Sequence, residues 1–393
     1  MKVLHVTTKD NAGAGLCCIR IHQSLLAQNI ESKVLTMEKT WDNPEIYQYG
    51  YKRMMFMKGV SKLLRMIGLE ITEWNKVRRL ENDCHTTFTL PISPVDITKS
   101  RYIEWADIIH LHWVNNYVDI PSFFSKVRKP VVWTLHDENL FYGIAHYSKD
   151  VTDNDIEKKY ASLKRDVLIN ASNLTVVFLS QYLQRRFGQH VIVQNKRNVV
   201  INNSVNCNRF VPIDKIKARN EYAIPLNKKV VCFLANSINE KRKGLQILVD
   251  ALHEIKEIDW LILAIGGNGD NRRWDIVKSV GSVTDQHMLN SLLCCCDFMA
   301  MPSFQEAFAQ SPMEAMACGL PVVVFPVSGT SELINERNGV VCTDFTLEAL
   351  KKGIMTLMNR QYDSTWIRQD MMNRFSPEVI AKEYISLYEE LLG

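Results

Sequence analysis

Two glutamates separated by seven residues, Glu306 and Glu314, lie in the stretch SFQEAFAQSPMEAMACGLPVVVFP, residues 303–326, between two apolar segments. The spacing puts Glu306 in a loop after a strand and Glu314 about one turn into the following helix. Ser311, Pro312 and Glu314 also fit a capping box, with Ser311 at the N-cap, Pro312 at the first helical position and Glu314 at the third. That reading explains Glu314 and leaves Glu306 a solvated loop residue. Upstream, Lys241, Arg242, Lys243 and Gly244 directly precede a helical pattern carrying Leu245, Leu248, Val249 and Leu252. A lysine beside a helix N-terminus suits a diphosphate; the alternative is a solvated basic turn. Joined at one site, these groups describe a nucleoside diphosphate ligand. One carboxylate accepts both hydroxyls of a ribose cis-diol, which suits Glu314, and Glu306 would reach hydroxyls of a group attached to the diphosphate.

The first half of the chain holds weaker candidates. Gly13, Ala14 and Gly15 open a helix in KDNAGAGLCCIRIHQSL, where backbone N–H groups and the helix dipole can receive a phosphate. A GxGxxG dinucleotide fingerprint fails, because Cys18 occupies the third glycine position, although Glu38 could mimic the ribose-binding acid. DIIHLHW puts His110 and His112 on one face of a strand, with His112 near its end. His136 ends the next strand and is followed by Asp137 and Glu138. These could be metal ligands, but carboxylates at recognisable metal-site spacing are missing. His110 reads as a core histidine and His112 as a hydrogen-bonding partner for a polar ligand. AIGGNGDNRR, residues 264–273, is a weak phosphate motif.

Such loops need parallel strands to hold them, because ligands of open α/β sheets bind beyond the carboxyl ends of the strands. Short apolar strands alternate with helical patterns along nearly the whole chain. One series comprises KVLHVTT, SKVLTM, DIIHLHW, PVVWTLH and LTVVFLS; a second comprises KKVVCFLAN, WLILAIGG, VKSVG, DFMAMPS and LPVVVFP. The polar segment 199–227 between them reads as the interdomain connection. The expectation is α/β: an N-terminal Rossmann-like domain over residues 1–205 and a C-terminal one over 206–375, facing each other across a deep cleft. The last segment, 376–393, carries Val379, Ile380, Tyr384, Leu387, Leu391 and Leu392 at helical spacing and could pack on either domain.

With 393 residues, 46% hydrophobic and 23% charged, the chain is long enough for two full cores. A net charge of +4 is too small to imply nucleic acid. The ten cysteines contain no C-x-x-C pair and read as buried thiols in a reducing compartment. No signal-peptide pattern or run of 18 apolar residues occurs, so the expected location is cytoplasmic. Residues 51–80 mix eight basic residues with Met54, Met55, Phe56, Leu63, Leu64 and Ile67, in the manner of helices lying on a membrane surface. The alternative is a helix packed on its own domain with a solvated basic face.

The stretch PSFQEAFAQSPMEAMACGLPVVV resembles the E-x7-E signature of the retaining glycosyltransferases of family 4, which have the GT-B fold. With the N-terminal glycine loop, DIIHLHW, WTLHD and RKG, the likeness is strongest to the branch that builds bacterial capsular and exopolysaccharides, of colanic-acid type. It implies a metal-independent enzyme, without a cofactor, that moves a hexose-type sugar from a UDP- or GDP-linked donor with retention. The acceptor would be a glycan or lipid-linked glycan of a growing surface polysaccharide, reached through peripheral membrane contact. Glu306 and His112 would touch the donor sugar, Lys243 the diphosphate and Glu314 the ribose. Gly13 to Gly15 and the backbone at Phe308, Ala309 and Gln310 would meet phosphate and sugar, and Ser282 and Val283 the base. His136 and Asp137 are acceptor-side candidates, and the C-terminal helix would cross back to the first domain. Where many members have an arginine six residues before the clamp lysine, this chain has Ser237, a role that Arg242 could take. Ala307 and Ala309 replace common glycines and crowd the sugar pocket. A GT-B sugar-nucleotide epimerase and a non-catalytic sugar-nucleotide-binding scaffold are the alternatives.

Overall fold

The computed structural model describes residues 1–11, 13–69, 72–84, 86–267 and 274–393, with Ser328 by its backbone. Most of the glycine-containing stretch 264–273 therefore lies outside the described residues. The chain divides into two compact units, Met1–Asn202 with Ile380–Gly393, and Asn203–Val379.

The first unit is built on seven strands: β1 (Lys2–Lys9), β2 (Glu31–Glu38), β3 (Ile46–Gln48), β4 (Ile108–Leu111), β5 (Val131–Leu135), β6 (Leu174–Phe178) and β7 (Asn198–Val200). Their order is β3-β2-β1-β4-β5-β6-β7 and every pairing is parallel. The second has β8 (Lys229–Ser237), β9 (Trp260–Gly267), β10 (Val277–Gly281), β11 (Phe298–Met301), β12 (Val322–Val324) and β13 (Gly339–Val341). These run β10-β9-β8-β11-β12-β13, again all parallel. Each unit is thus a Rossmann-like α/β domain. The winding reverses between β1 and β4 in one sheet and between β8 and β11 in the other, and a crevice for ligand opens at such switch points.

Central strands such as Val231 to Phe233 and Ile262 to Ile265 are buried along their whole length, as sheets covered on both faces require. The three-residue edge strands β3, β7 and β13 carry no periodicity of their own, and their neighbours supply their register. Val199 and Val200, which the sequence places in the connection, belong to β7, and a helix forms at Lys215–Glu221 within that same segment. Residues 51–80 hold two helices, α2 (Tyr51–Met66) and another starting at Glu73, with Gly68 at φ +78° between them.

From Ile380 onward the C-terminal helix Pro377–Leu392 belongs to the first unit. Ile380, Tyr384, Leu387 and Tyr388, spaced by four, three and one residues, face Val3, Leu25, Ile108 and Val177. Tyr384 and Tyr388 also reach polar partners in the sheet, Thr134 at 2.9 Å and His110 Nδ1 at 2.6 Å.

Helix α1 (Gly13–Ala27) follows β1 so closely that a Cβ at Gly15 would lie 2.1 Å from the Lys9 carbonyl oxygen. Gly15 is therefore a packing glycine, whereas a Cβ at Gly13 meets nothing within 4 Å. Gly15→Ala is expected to destabilise the protein by about 1–3 kcal/mol, the usual range for overpacking. Gly13→Ala should be nearly neutral, and urea unfolding of the pair measures the contrast.

Candidate functional site

The strongest constellation sits at the switch point of the second unit. After β8 the chain makes a short turn at Lys241–Lys243 and enters the helix Leu245–Glu254 through Gly244, whose φ is +80°. A Cβ on Gly244 would lie 2.2 Å from the Pro302 carbonyl oxygen in the loop after β11. Only glycine permits that approach. The Phe304 amide donates to the Arg242 carbonyl at 2.8 Å and holds the two loops together. Lys243 Nζ consequently lies 2.5 Å from Glu306 Oε1, and Arg242 Nη1 lies 3.3 Å from the same oxygen.

Glu306 is buried, which by itself raises its pKa. The charges of Lys243 and Arg242 and the Lys243 hydrogen bond outweigh burial and hold the carboxyl below its usual range. The site is thus an ionised carboxylate against two cations, able to exchange Glu306 for an incoming anion on Lys243. Arg242 is more occupied: Nε and Nη2 meet Glu240 at 2.9 and 2.7 Å, and Nη1 donates to the Gln305 carbonyl at 2.5 Å.

Glu314 lies buried in the helix Ser311–Ala317. Ser311 does not cap that helix. Gln310 already has helical angles, φ −84° and ψ −33°, and no side chain accepts at the N-cap, so the expected capping box is absent. Phe308 and Ala309 are buried. The Ala309 amide, expected to meet the ligand, donates instead to Thr330 Oγ1 at 3.1 Å, and the Phe308 carbonyl accepts from Asn203 Nδ2 at 3.5 Å. Ser282 is exposed and Val283 half-buried just beyond β10, two strands from β8 in the sheet.

In the first unit, Gly13 and Ala14 begin α1 beyond the end of β1. Asp10, which the sequence did not mark, ties this loop to the next: its buried carboxylate accepts from the amides of Thr40 and Trp41 and from Thr40 Oγ1. Glu38, the candidate ribose acid of the dinucleotide alternative, pairs with Lys9 at 3.0 Å.

The histidines form a chain. His5 Nδ1 lies 3.0 Å from His112 Nε2, and His112 Nδ1 lies 3.1 Å from His136 Nε2. Burial pushes His5, His110 and His112 well below the ordinary imidazole range, aided by repulsion from neighbouring histidines, and pushes His136 down to about 4. All are therefore neutral near pH 7. His5 Nε2 is buried without a hydrogen-bond partner. Because an orphaned N–H is costlier than an orphaned lone pair, we assign the protons to Nδ1 along the chain. His5 then donates to His112, His112 donates to His136, and half-buried His136 keeps an Nδ1–H at the end of the chain. A cavity of about 10 Å³ is lined there by His112, His136 and Asp137 among others. His112, expected to bind the donor sugar, has both ring nitrogens engaged.

His5, His110 and His112 are close enough to suggest a metal centre. They do not fit one. His5 and His112 bond each other, and His110 uses both nitrogens on Thr134, at 2.8 Å, and Tyr388.

Asp137, expected on the acceptor side, is a loop anchor. It accepts from His146 Nδ1 at 2.5 Å, Trp113 Nε1 at 2.9 Å and the Asn139 amide at 3.0 Å. The same loop is held by Glu157, which accepts from the amides of Gly143, Ile144 and Ala145, and by buried Lys164, which donates to Asn139. Burial pushes Lys164 down to about 7 against the opposing pull of Glu157 and Asp137. Neither residue carried a sequence signal, since their partners lie 12–14 and 25 residues away.

Residues 228–360, within the second unit, match the family model described as glycosyl transferases group 1. An uncharacterized glycosyltransferase of Methanocaldococcus jannaschii is 25% identical over 314 residues, covering 74% of this chain and 78% of that protein. Among solved structures, a glycosyltransferase from Rickettsia africae superposes with a TM-score of 0.67 at 15% identity, covering 100% of this chain and 98% of that one. Anabaena HepE in complex with UDP-glucose gives 0.64 at 19% identity, covering 99% and 100%. These likenesses show the GT-B fold.

Proposed function

We propose that this glycosyltransferase, whose group 1 character the domain model and the curated relatives support, transfers a hexose from a UDP- or GDP-linked donor with retention at the anomeric carbon. The observation that carries the reading is the Lys243–Glu306 pair, formed across the switch point by side chains 63 residues apart, with Arg242 on the same oxygen. Anabaena HepE, of the same fold, is described with UDP-glucose.

In the proposed reaction the donor diphosphate takes the place of Glu306 on Lys243, beside the N-terminus of the helix Leu245–Glu254. Glu306, released from the lysine, accepts hydrogen bonds from the transferred sugar. Glu314 accepts from the ribose diol. As the glycosidic bond breaks, its electrons pass to the leaving phosphate, and Lys243 meets the charge that develops there. The acceptor hydroxyl oxygen bonds to the anomeric carbon on the face the phosphate leaves, and its proton passes to that phosphate. Arg242 holds the Gln305 carbonyl and Glu240 and so positions Glu306 as well as adding charge.

The acceptor in this reading is a lipid-linked glycan of a bacterial surface polysaccharide, approached along the membrane by α2. No helix among the described residues is long and apolar enough to cross a membrane. A screen of sugar nucleotides by thermal shift tests the donor, since a bound ligand raises stability by RT ln(1 + [L]/Kd). Release of free UDP or GDP only when acceptor is present separates transfer from epimerisation, and no turnover with any donor leaves a binding scaffold.

Turnover is expected to persist in EDTA, because cationic side chains meet the diphosphate here. Activity lost to chelation and restored by Mg²⁺ or Mn²⁺ sinks that expectation.

A further inference from the structure

A second pocket lies beyond the carboxyl end of the edge strand β3, away from the groups already described. It encloses about 410 Å³, within the range of small-molecule sites, and its walls include Tyr49, Tyr51, Lys52, Arg53, Asp96 and Lys99. The chain turns into α2 at Gly50, with φ +81°, where a Cβ would lie 2.3 Å from Val95 Cγ1. That contact lays the start of α2 directly against the segment 95–99.

The pocket is electrically unbalanced. Asp96 already accepts from Lys126 Nζ at 2.7 Å and from Thr98. Among the described residues no carboxylate pairs with Lys52, Arg53 or Lys99. Other cations of this unit do have carboxylate partners, as in Lys9 with Glu38, Lys33 with Glu45 and Lys76 with Glu73. Three converging cations with one neutralised acid repel one another, and a multivalent anion relieves that repulsion. The first turn of α2 adds no acid and has no side-chain cap, so its dipole acts in the same direction.

Helix α2 then says what the anion is attached to. At 100° per residue, Lys52, Phe56, Leu63, Met66 and Ile67 share one side of the helix, opposite the buried Met54 and Ser61. Phe56 is 69% exposed, Leu63 60%, Met66 73% and Ile67 63%. Lys62 borders this apolar stripe, with Lys58 farther round the helix, and the stripe begins one turn from Lys52 at the pocket mouth.

We propose that the pocket binds the phosphate or diphosphate of a lipid-linked acceptor, whose hydrocarbon chain enters the membrane face along the apolar stripe of α2. The proposal rests on the reading of the enzyme as one acting on a lipid-linked glycan, and supplies that reading with a headgroup site.

The test uses the full chain and co-sedimentation with phosphatidylcholine vesicles carrying either a prenyl diphosphate or, at matched negative charge, phosphatidylglycerol. Inorganic pyrophosphate is the soluble competitor. The wild type should prefer the prenyl diphosphate vesicles, and pyrophosphate should compete. A basic residue near an anionic lipid surface is worth about five-fold in binding, so the Lys52→Ala/Arg53→Ala/Lys99→Ala variant should lose on the order of 100-fold. Phe56→Ser/Leu63→Ser should weaken binding to both vesicles while keeping the rise in Tm that pyrophosphate produces. All five substituted side chains are exposed, and an unchanged Tm without ligand confirms folding. Equal binding to the two vesicles, or an unaltered preference in the triple variant, overturns the proposal. So does pyrophosphate binding without vesicle binding, which would make the ligand a free phosphate compound. None of these readouts needs turnover, so a chain that turned over no sugar nucleotide would refute the transferase reading separately.

Discussion

Lys243→Ala is expected to lower kcat by roughly 100-fold or more, the cost of deleting one preorganised donor from a developing anion. The loss should fall on kcat more than on KM, because the charge on the leaving diphosphate grows as the bond breaks. In the resting protein the same lysine lies 2.5 Å from Glu306. Its removal therefore leaves Glu306 buried with Arg242 as its remaining neighbouring cation, and the Glu306 pKa should rise. Arg242→Ala should fall between wild type and Lys243→Ala, since most of the guanidinium contacts go to Glu240 and the Gln305 carbonyl. Steady-state kinetics on both single variants and the double variant decide it. A Lys243→Ala enzyme with normal kcat removes the lysine from the transition state, and a fully active Arg242→Ala enzyme leaves Lys243 the lone side-chain clamp.

Acidification is expected to unfold the first unit well before ordinary carboxylates titrate. Burial holds His22 and His136 at about 4, below the ordinary imidazole value of about 6.5. Below that value the unfolded chain binds protons that the native state refuses. The stabilisation is complete above pH 6.5 and is lost as pH falls toward 4. At pH 5 each of these two groups costs about 2 kcal/mol relative to pH 7.5. His5, His110 and His112, also lowered, add in the same direction. Glu138 and Glu383, whose burial raises them, act oppositely at lower pH. Urea unfolding between pH 7.5 and 5 measures the slope. His22→Gln should flatten it, because the His22 ring contributes one hydrogen bond, to Ser32 at 2.8 Å, and a titrating nitrogen that has no partner. A stability that does not change over this range removes the buried neutral histidines as its cause.

Much of the architecture was legible in one dimension. KVLHVTT and WLILAIGG announce themselves because a parallel strand covered on both faces is apolar along its whole length, so local composition carries the signal. The glutamate spacing and the KRKG turn were equally local, since loop chemistry beyond strand ends depends on a few adjacent residues. Tertiary structure decided the rest. β3, β7 and β13 have three residues each and exist through their neighbours' hydrogen bonds. The C-terminal helix showed its apolar side in the sequence, but only the matching surface of Val3, Ile108 and Val177 determined which unit it covers. His112 and Asp137 read as ligand contacts, yet His5, His136, His146 and Trp113 occupy their polar atoms from positions that sequence distance conceals. The meeting of Lys243 with Glu306 was likewise unreadable as a distance. It depends on Gly244 lying against Pro302, and a backbone contact of that kind leaves no trace in residue type beyond the glycine itself.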